Sequence, residues 1–265
     1  MLEIFPTTIP QLTQDEERNV FVYVPDRHEE YSDERYPVLY MFDGHNVFLD
    51  ETATYGKSWG MLEFLVYTDL PLIVVGVECN HHNEGEEGGG RLSEYSPFSF
   101  KSSRWGTIEG KGKITMDWMV NELKPYIDAN YPTITERDYT FIAGSSMGGL
   151  MTLYALSEYN EVFSRGAALS PALYFNSKEV EAMIKEAQYR EPTVLYMDCG
   201  TSEMRYEETK LARVQRIYGN TTDLLIKKGV TLTSRLVLNG EHSEASWERQ
   251  IPYFIDVLFY ELEGF

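Results

Sequence analysis

Gly144-Ser145-Ser146-Met147-Gly148 sets a serine between two glycines in the pattern G-x-S-x-G, and the chemistry this serves is nucleophilic attack on a carbonyl carbon. The pattern needs a strand before it and a helix after it, so that the serine stands at the tip of a sharp turn. Tyr139-Thr140-Phe141-Ile142-Ala143 is strand-like, and Leu150-Met151-Thr152-Leu153-Tyr154-Ala155-Leu156 is helix-like. Ser146 is therefore the candidate nucleophile, and the main-chain N–H of Met147, opening the helix, is a candidate donor to a developing oxyanion.

A nucleophilic serine needs a base and an acid that orients the base, and where the serine stands on an elbow of this kind the acid comes next in the chain and the histidine last. Of five histidines only His242 lies downstream of Ser146, in the turn-rich Asn239-Gly240-Glu241-His242-Ser243-Glu244. Between them, Thr193-Val194-Leu195-Tyr196-Met197 reads as a strand that runs into Asp198-Cys199-Gly200-Thr201-Ser202-Glu203. Asp198 and Glu203 compete for the orienting role. Upstream, Pro37–Phe42 reads as a strand running into Asp43-Gly44-His45-Asn46, where a second oxyanion donor is expected. The N–H groups of Gly44 and His45 are the candidates, with Asp43 bracing the turn.

Positioning these groups requires strands that deliver loops to one edge of a sheet. Candidate strands are Asn19–Val24, Pro37–Phe42, Leu72–Glu78, Tyr139–Ala143, Arg165–Leu169, Thr193–Met197 and Thr231–Leu238. Helical periodicity separates them over Gly60–Tyr67, Thr115–Asn130, Gly148–Glu158, Glu179–Gln188, Glu207–Lys228 and Ser246–Glu263, with Pro125 and Pro252 expected to kink or break two of these. The alternation predicts an α/β fold, a mostly parallel central sheet with helices on both faces. A stretch without a clear period, residues 79–113, contains Gly88-Gly89-Gly90, the acidic Glu84-Gly85-Glu86-Glu87 and Trp105. It is expected to be a loop excursion beside the site.

The 265 residues contain no linker-like segment and are expected to form a single domain over 1–265. Acidic side chains number 42 against 23 basic ones, a net charge of −19, which argues against nucleic acid and anionic lipid as partners. Neither a leader-like start nor an apolar run of ~18–20 residues is present, so the sequence reads as cytoplasmic and without a membrane partner. The two cysteines, Cys79 and Cys199, each follow an apolar run and read as reduced thiols. No metal is expected: His81-His82-Asn83-Glu84 puts its histidines on opposite sides of an extended chain, with no third ligand at a telling spacing. Homo-oligomerisation stays open.

Several segments resemble the putative-esterase group of α/β-hydrolases, which includes esterase D-like, feruloyl, acetyl xylan and trilactone-siderophore esterases and mycolyltransferases. They are Tyr36–Asn46, Ser58-Trp59-Gly60, Arg91–Pro97, Ala143–Leu150, Leu169-Ser170-Pro171-Ala172, Asp198–Glu203 and Gly240–Trp247, spanning roughly residues 15–260. The resemblance implies an α/β-hydrolase fold and hydrolysis of a small-molecule carboxylic ester by a serine, with no cofactor. It favours Glu203 over Asp198, since the acid often stands three residues after a glycine in this loop. It also implies a cleft lined by Trp59, Arg91, Tyr95 and Trp247. The alternatives are an acyltransferase using the same triad and a non-catalytic binding protein on a hydrolase scaffold.

Overall fold

The computed structural model describes residues 1–29, 33–82, 89–203 and 208–265. Its strands are β1 (Leu2–Thr8), β2 (Glu17–Tyr23), β3 (Val38–Phe42), β4 (Ile73–Val77), β5 (Phe100–Ser102), β6 (Gly106–Ile108), β7 (Thr140–Ser145), β8 (Arg165–Leu169), β9 (Val194–Gly200) and β10 (Thr231–Val237). The helices are α1 (Pro10–Thr13), α2 (Met61–Thr68), α3 (Arg91–Glu94), α4 (Gly112–Trp118), α5 (Lys124–Asn130), α6 (Met147–Glu158), α7 (Ser177–Glu186), α8 (Glu208–Lys227), α9 (Glu244–Glu248) and α10 (Ile251–Leu258). Eight strands form one sheet in the order β1-β2-β4-β3-β7-β8-β9-β10. From β4 to β10 neighbouring strands run parallel, while β2 pairs antiparallel with both β1 and β4.

The near-continuous apolar strands follow from burial on both faces. Val38, Tyr40 and Phe42 of β3, with Ile73, Val75 and Val77 of β4, point into a core shared with α1, α4, α5, α6, α7 and α8. The alternate residues Leu39, Met41 and Val74 point into a second core with Met61 and Leu65 of α2 and Ile251, Phe254, Ile255 and Leu258 of α10. The strand period of two thus divides one apolar run between two layers.

Three parts differ from the sequence expectation. Strand β1 was not anticipated; it pairs only with β2, is half exposed, and contains Pro6, which an edge strand tolerates because its missing N–H breaks no inner ladder. The 79–113 excursion is more ordered than expected, holding α3 and the β5–β6 hairpin; Asn83 and the acidic Glu84-Gly85-Glu86-Glu87 patch lie outside the described residues. As expected at Pro252, the terminal helix is divided into α9 and α10, with that proline in the first turn of α10. The third difference is at Pro125, where the helical run does not break: a π turn over Met119–Leu123 precedes α5 and accommodates the missing N–H. Both cysteines are buried and free. No helix among the described residues is long and apolar enough to cross a membrane.

Beyond β3 the chain adds β4 on one side and then β7, β8, β9 and β10 on the other. Strand order reverses there, so the loops leaving the carboxyl ends of β3 and β7 splay apart and open a crevice. Asp43-Gly44-His45 leaves β3, and Ser146 leaves β7.

Candidate active site

Ser146 is the single residue between β7 and α6, with φ 57° and ψ −117°, a conformation that costs about 1–3 kcal/mol for a non-glycine residue. The surroundings hold it there. Its N–H donates to the Leu169 carbonyl at 3.0 Å, and its carbonyl accepts from Ala172 N–H at 2.9 Å and Leu150 N–H at 3.1 Å. A Cβ on Gly144 would stand 2.7 Å from the Gly148 carbonyl carbon, so the sharp turn needs a glycine at 144, while a Cβ on Gly148 would press on Phe42 Cβ at 3.0 Å. Met147 is the first residue of α6, and its N–H has no intrahelical acceptor by position.

The β3 loop mirrors this arrangement. Asp43 has φ 58° and is followed by a single 3-10 turn, Gly44–Asn46, whose opening N–H groups belong to Gly44 and His45. Gly44 packs directly on β4: a Cβ there would lie 2.4 Å from the Gly76 carbonyl carbon. Arg91 braces the loop, its Nε and Nη2 each donating to Asp43 at 2.6 Å. Burial opposes ionisation of Asp43, yet the Arg91 guanidinium keeps its carboxyl below the usual range.

Glu203 and His242 meet across two loops. His242 Nδ1 lies 2.5 Å from Glu203 Oε2. The other oxygen, Oε1, accepts from Gly200 N–H at 2.9 Å and from the Ser170 hydroxyl. Burial works against ionisation of Glu203, but the imidazole and these donors outweigh it and leave its carboxyl below the ordinary glutamate value. The loops touch because Gly200 and Gly240 lie back to back: a Cβ on Gly200 would be 2.2 Å from the Gly240 carbonyl oxygen.

Asp198, the competing acid, sits elsewhere. Fully buried at the end of β9, it accepts from Ser170 N–H at 2.9 Å and from the Tyr196 hydroxyl at 3.0 Å. Burial pushes its carboxyl up to about 7, with the charge of Glu203 adding to the effect. The folded protein therefore holds a proton at Asp198 that the unfolded chain has already released above the ordinary aspartate value. Asp198 makes stability fall as pH rises from about 4 to about 7, and levels off above. In Asp198→Asn this part of the slope should vanish, which urea unfolding at about pH 5 and about pH 8 will measure.

One contributor had no role assigned from sequence. The Ser170 hydroxyl donates to Glu203 and accepts from Trp247 Nε1–H at 3.1 Å, while the Trp247 ring packs edge-on to His242 at 5.1 Å. Acid, serine, indole and imidazole close a ring of contacts. Only the Leu169-Ser170-Pro171-Ala172 segment hinted at it, and nothing in that spacing points to a carboxylate 33 residues away.

Ser146, His242, His45, Trp59, Arg91 and Trp247 line one open cleft of about 770 Å³, together with Asp43, Asn46, Thr54 and Trp105. Trp59 and Trp247 pack with ring centroids 5.8 Å apart. Tyr95 is the correction. Expected on the cleft wall, it is instead buried, its oxygen accepting Asp43 N–H at 3.1 Å and its ring packed on Phe42. A tyrosine one helical turn from Arg91 turns inward because the Asp43 amide needs an acceptor.

Comparison with known proteins bears on the fold and the family. The chain is 22% identical over 199 residues to the uncharacterized protein YbbA of Bacillus subtilis (strain 168), covering 74% of this chain and 73% of that one. An IroE-like serine hydrolase from Shewanella oneidensis superposes with a TM-score of 0.73 at 19% identity, over 99% of this chain and 80% of the other. The siderophore hydrolase EstA of Aspergillus nidulans gives 0.70 at 17%, over 95% and 93%. At such identities the likeness speaks for the fold, which is of the α/β-hydrolase type. The Putative esterase family matches residues 12–254, nearly the whole sheet and both loops of the cleft. The chain belongs to that family and is a carboxylic ester hydrolase.

Proposed function

We propose that the protein cleaves carboxylic esters through an acyl-enzyme on Ser146, with His242 as base and Glu203 as the acid that orients it. The observation that carries this reading is the Glu203–His242 pair, held 2.5 Å apart, with His242 lining the cleft that Ser146 also lines. Glu203 accepts Nδ1–H, which leaves Nε2 to take the serine proton. Ser146 Oγ then bonds to the ester carbonyl carbon, and the N–H groups of Met147 and of Gly44 or His45 receive the oxyanion. His242 returns the proton to the leaving alkoxide. Water, deprotonated by His242, attacks the acyl-enzyme, and collapse releases the acid and restores Ser146.

The wall combines the aromatic Trp59, Trp105 and Trp247 with the polar Asn46, Thr54 and Arg91. That mixture suits a ring-bearing, polar ester better than a long alkyl chain, and neighbours of this fold include a protein named siderophore hydrolase and one named ferulic acid esterase. A fluorophosphonate probe should label one residue per chain. Peptide mapping should place the adduct on Ser146, and labelling should stop in His242→Ala. An adduct on Ser145 or Ser170 would refute the assignment. Alcohol competition during turnover distinguishes hydrolysis from acyl transfer.

A further inference from the structure

Beside the oxyanion loop three side chains converge that ester cleavage does not use. His45 comes from the turn after β3, and Cys79 and His81 from the segment after β4; one donor atom from each lies within 4.8 Å of the other two. The imidazoles of His45 and His81 stand edge to face with centroids 4.8 Å apart.

Each histidine is oriented by an oxygen on the same ring position. His45 Nε2 lies 3.1 Å from Thr54 Oγ1, and His81 Nε2 lies 3.0 Å from Glu78 Oε1. Outer partners of this kind fix ring orientation and tautomer around bound metals, and leave the second nitrogen as ligand. His45 is 4% exposed, and among the described residues its Nδ1 has no hydrogen-bond partner. A buried ring nitrogen without a partner is costly and calls for a ligand.

We propose that His45 Nδ1, Cys79 Sγ and His81 Nδ1 bind a divalent zinc ion, with the fourth coordination position open to the substrate cleft. Two imidazoles and a thiolate select zinc over magnesium or calcium, which require oxygen donors. Bonds of about 2.0–2.3 Å space tetrahedral donors about 3.3–3.6 Å apart, so the cluster must contract by about 1 Å. The half-exposed His81 side chain has the freedom to supply that movement. As the Sγ–zinc bond forms, the thiol proton leaves to solvent. The sequence hid this site because its first ligand is 34 residues from the second; the adjacent His82 turns the other way, onto Glu16 at 2.6 Å.

The experiment is titration of the full chain with zinc by calorimetry and with cobalt(II) by absorption. One equivalent of zinc should bind, cobalt should produce a near-ultraviolet thiolate charge-transfer band, and magnesium should do neither. Cys79→Ser should abolish the band, and His81→Ala, which removes a direct ligand, should weaken zinc binding by more than the about 10–100-fold that loss of an outer partner costs, while His82→Ala changes nothing. His81 and His82 are on the surface, so these variants keep their fold even if Cys79→Ser does not, which circular dichroism verifies. Absence of the cobalt band, or zinc affinity retained in His81→Ala, would overturn the proposal. Loss of binding only in His242→Ala would overturn it too, by moving the ion to the Glu203–His242 pair. None of these readouts depends on ester turnover.

Discussion

Ser146→Ala should keep the native circular dichroism spectrum and thermal midpoint and lose about 10⁵–10⁶-fold in kcat on p-nitrophenyl acetate. The loss is large because nucleophile and base act as one unit; once Oγ is gone, His242 has no proton to take and no acyl-enzyme forms. The fold survives because the turn is held by main-chain bonds from Ser146 to Leu169, Ala172 and Leu150, which alanine retains. Ser145 provides the control. It ends β7, in register with Leu169 of β8. If Ser145→Ala were inactive and Ser146→Ala turned over normally, the elbow would have been read one residue out.

The second large effect separates the two carboxylates. Glu203→Gln should cost about 10³–10⁴-fold in kcat, and Asp198→Asn less than about tenfold. The asymmetry follows from donors. Gly200 N–H and the Ser170 hydroxyl both point at Oε1 of Glu203, so a glutamine must place its carbonyl oxygen there and turn its NH2 toward His242. That amide donates to Nδ1, forcing the proton onto Nε2, where it faces the serine and blocks proton acceptance. Asparagine at 198 keeps an oxygen for Ser170 N–H, and its NH2 can meet the Tyr196 oxygen, whose own proton has Gln250 Oε1 as acceptor at 3.2 Å. Kinetics of both variants, with fold checked by circular dichroism, decide the matter. Reversed magnitudes would transfer the role to Asp198.

Legibility in the sequence tracked how local the physics was. The elbow was readable because strand, glycine, serine, glycine and helix fall within about twenty consecutive residues, each with its own steric reason. The inner strands were readable because burial on both faces makes them apolar throughout. Strand β1 was not, since its stability comes from pairing with β2 and its composition, Leu-Glu-Ile-Phe-Pro-Thr-Thr, signals neither period. Tyr95 was misplaced for a related reason: whether a tyrosine faces a cleft or caps a buried amide depends on a contact 52 residues away. Ser170 and the grouping of His45 with Cys79 and His81 share that character. Both are products of sheet order, which brings the ends of β3, β4, β8 and β9 to one edge and leaves no trace in local spacing.

The tie between the Gly200 and Gly240 loops has a dynamic side. Thr201 N–H donates to the Val237 carbonyl and Ser202 N–H to the Gly240 carbonyl, both at 2.9 Å, so the segments bearing acid and base are stitched to each other. The first leaves β9, while the second leaves β10, the rim of the sheet, which pairs only with β9; Leu236 in it and Leu238 just after it are exposed to solvent. Rim strands open at far lower free energy than the strands they flank. Fraying of this one strand would therefore displace the proposed base His242 and the proposed orienting acid Glu203 together, while Ser146, held between β7 and α6 at the middle of the sheet, kept its strained pose. Heating should therefore abolish turnover below the temperature at which near-ultraviolet circular dichroism reports melting of the core, and coincidence of the two midpoints would rule this out.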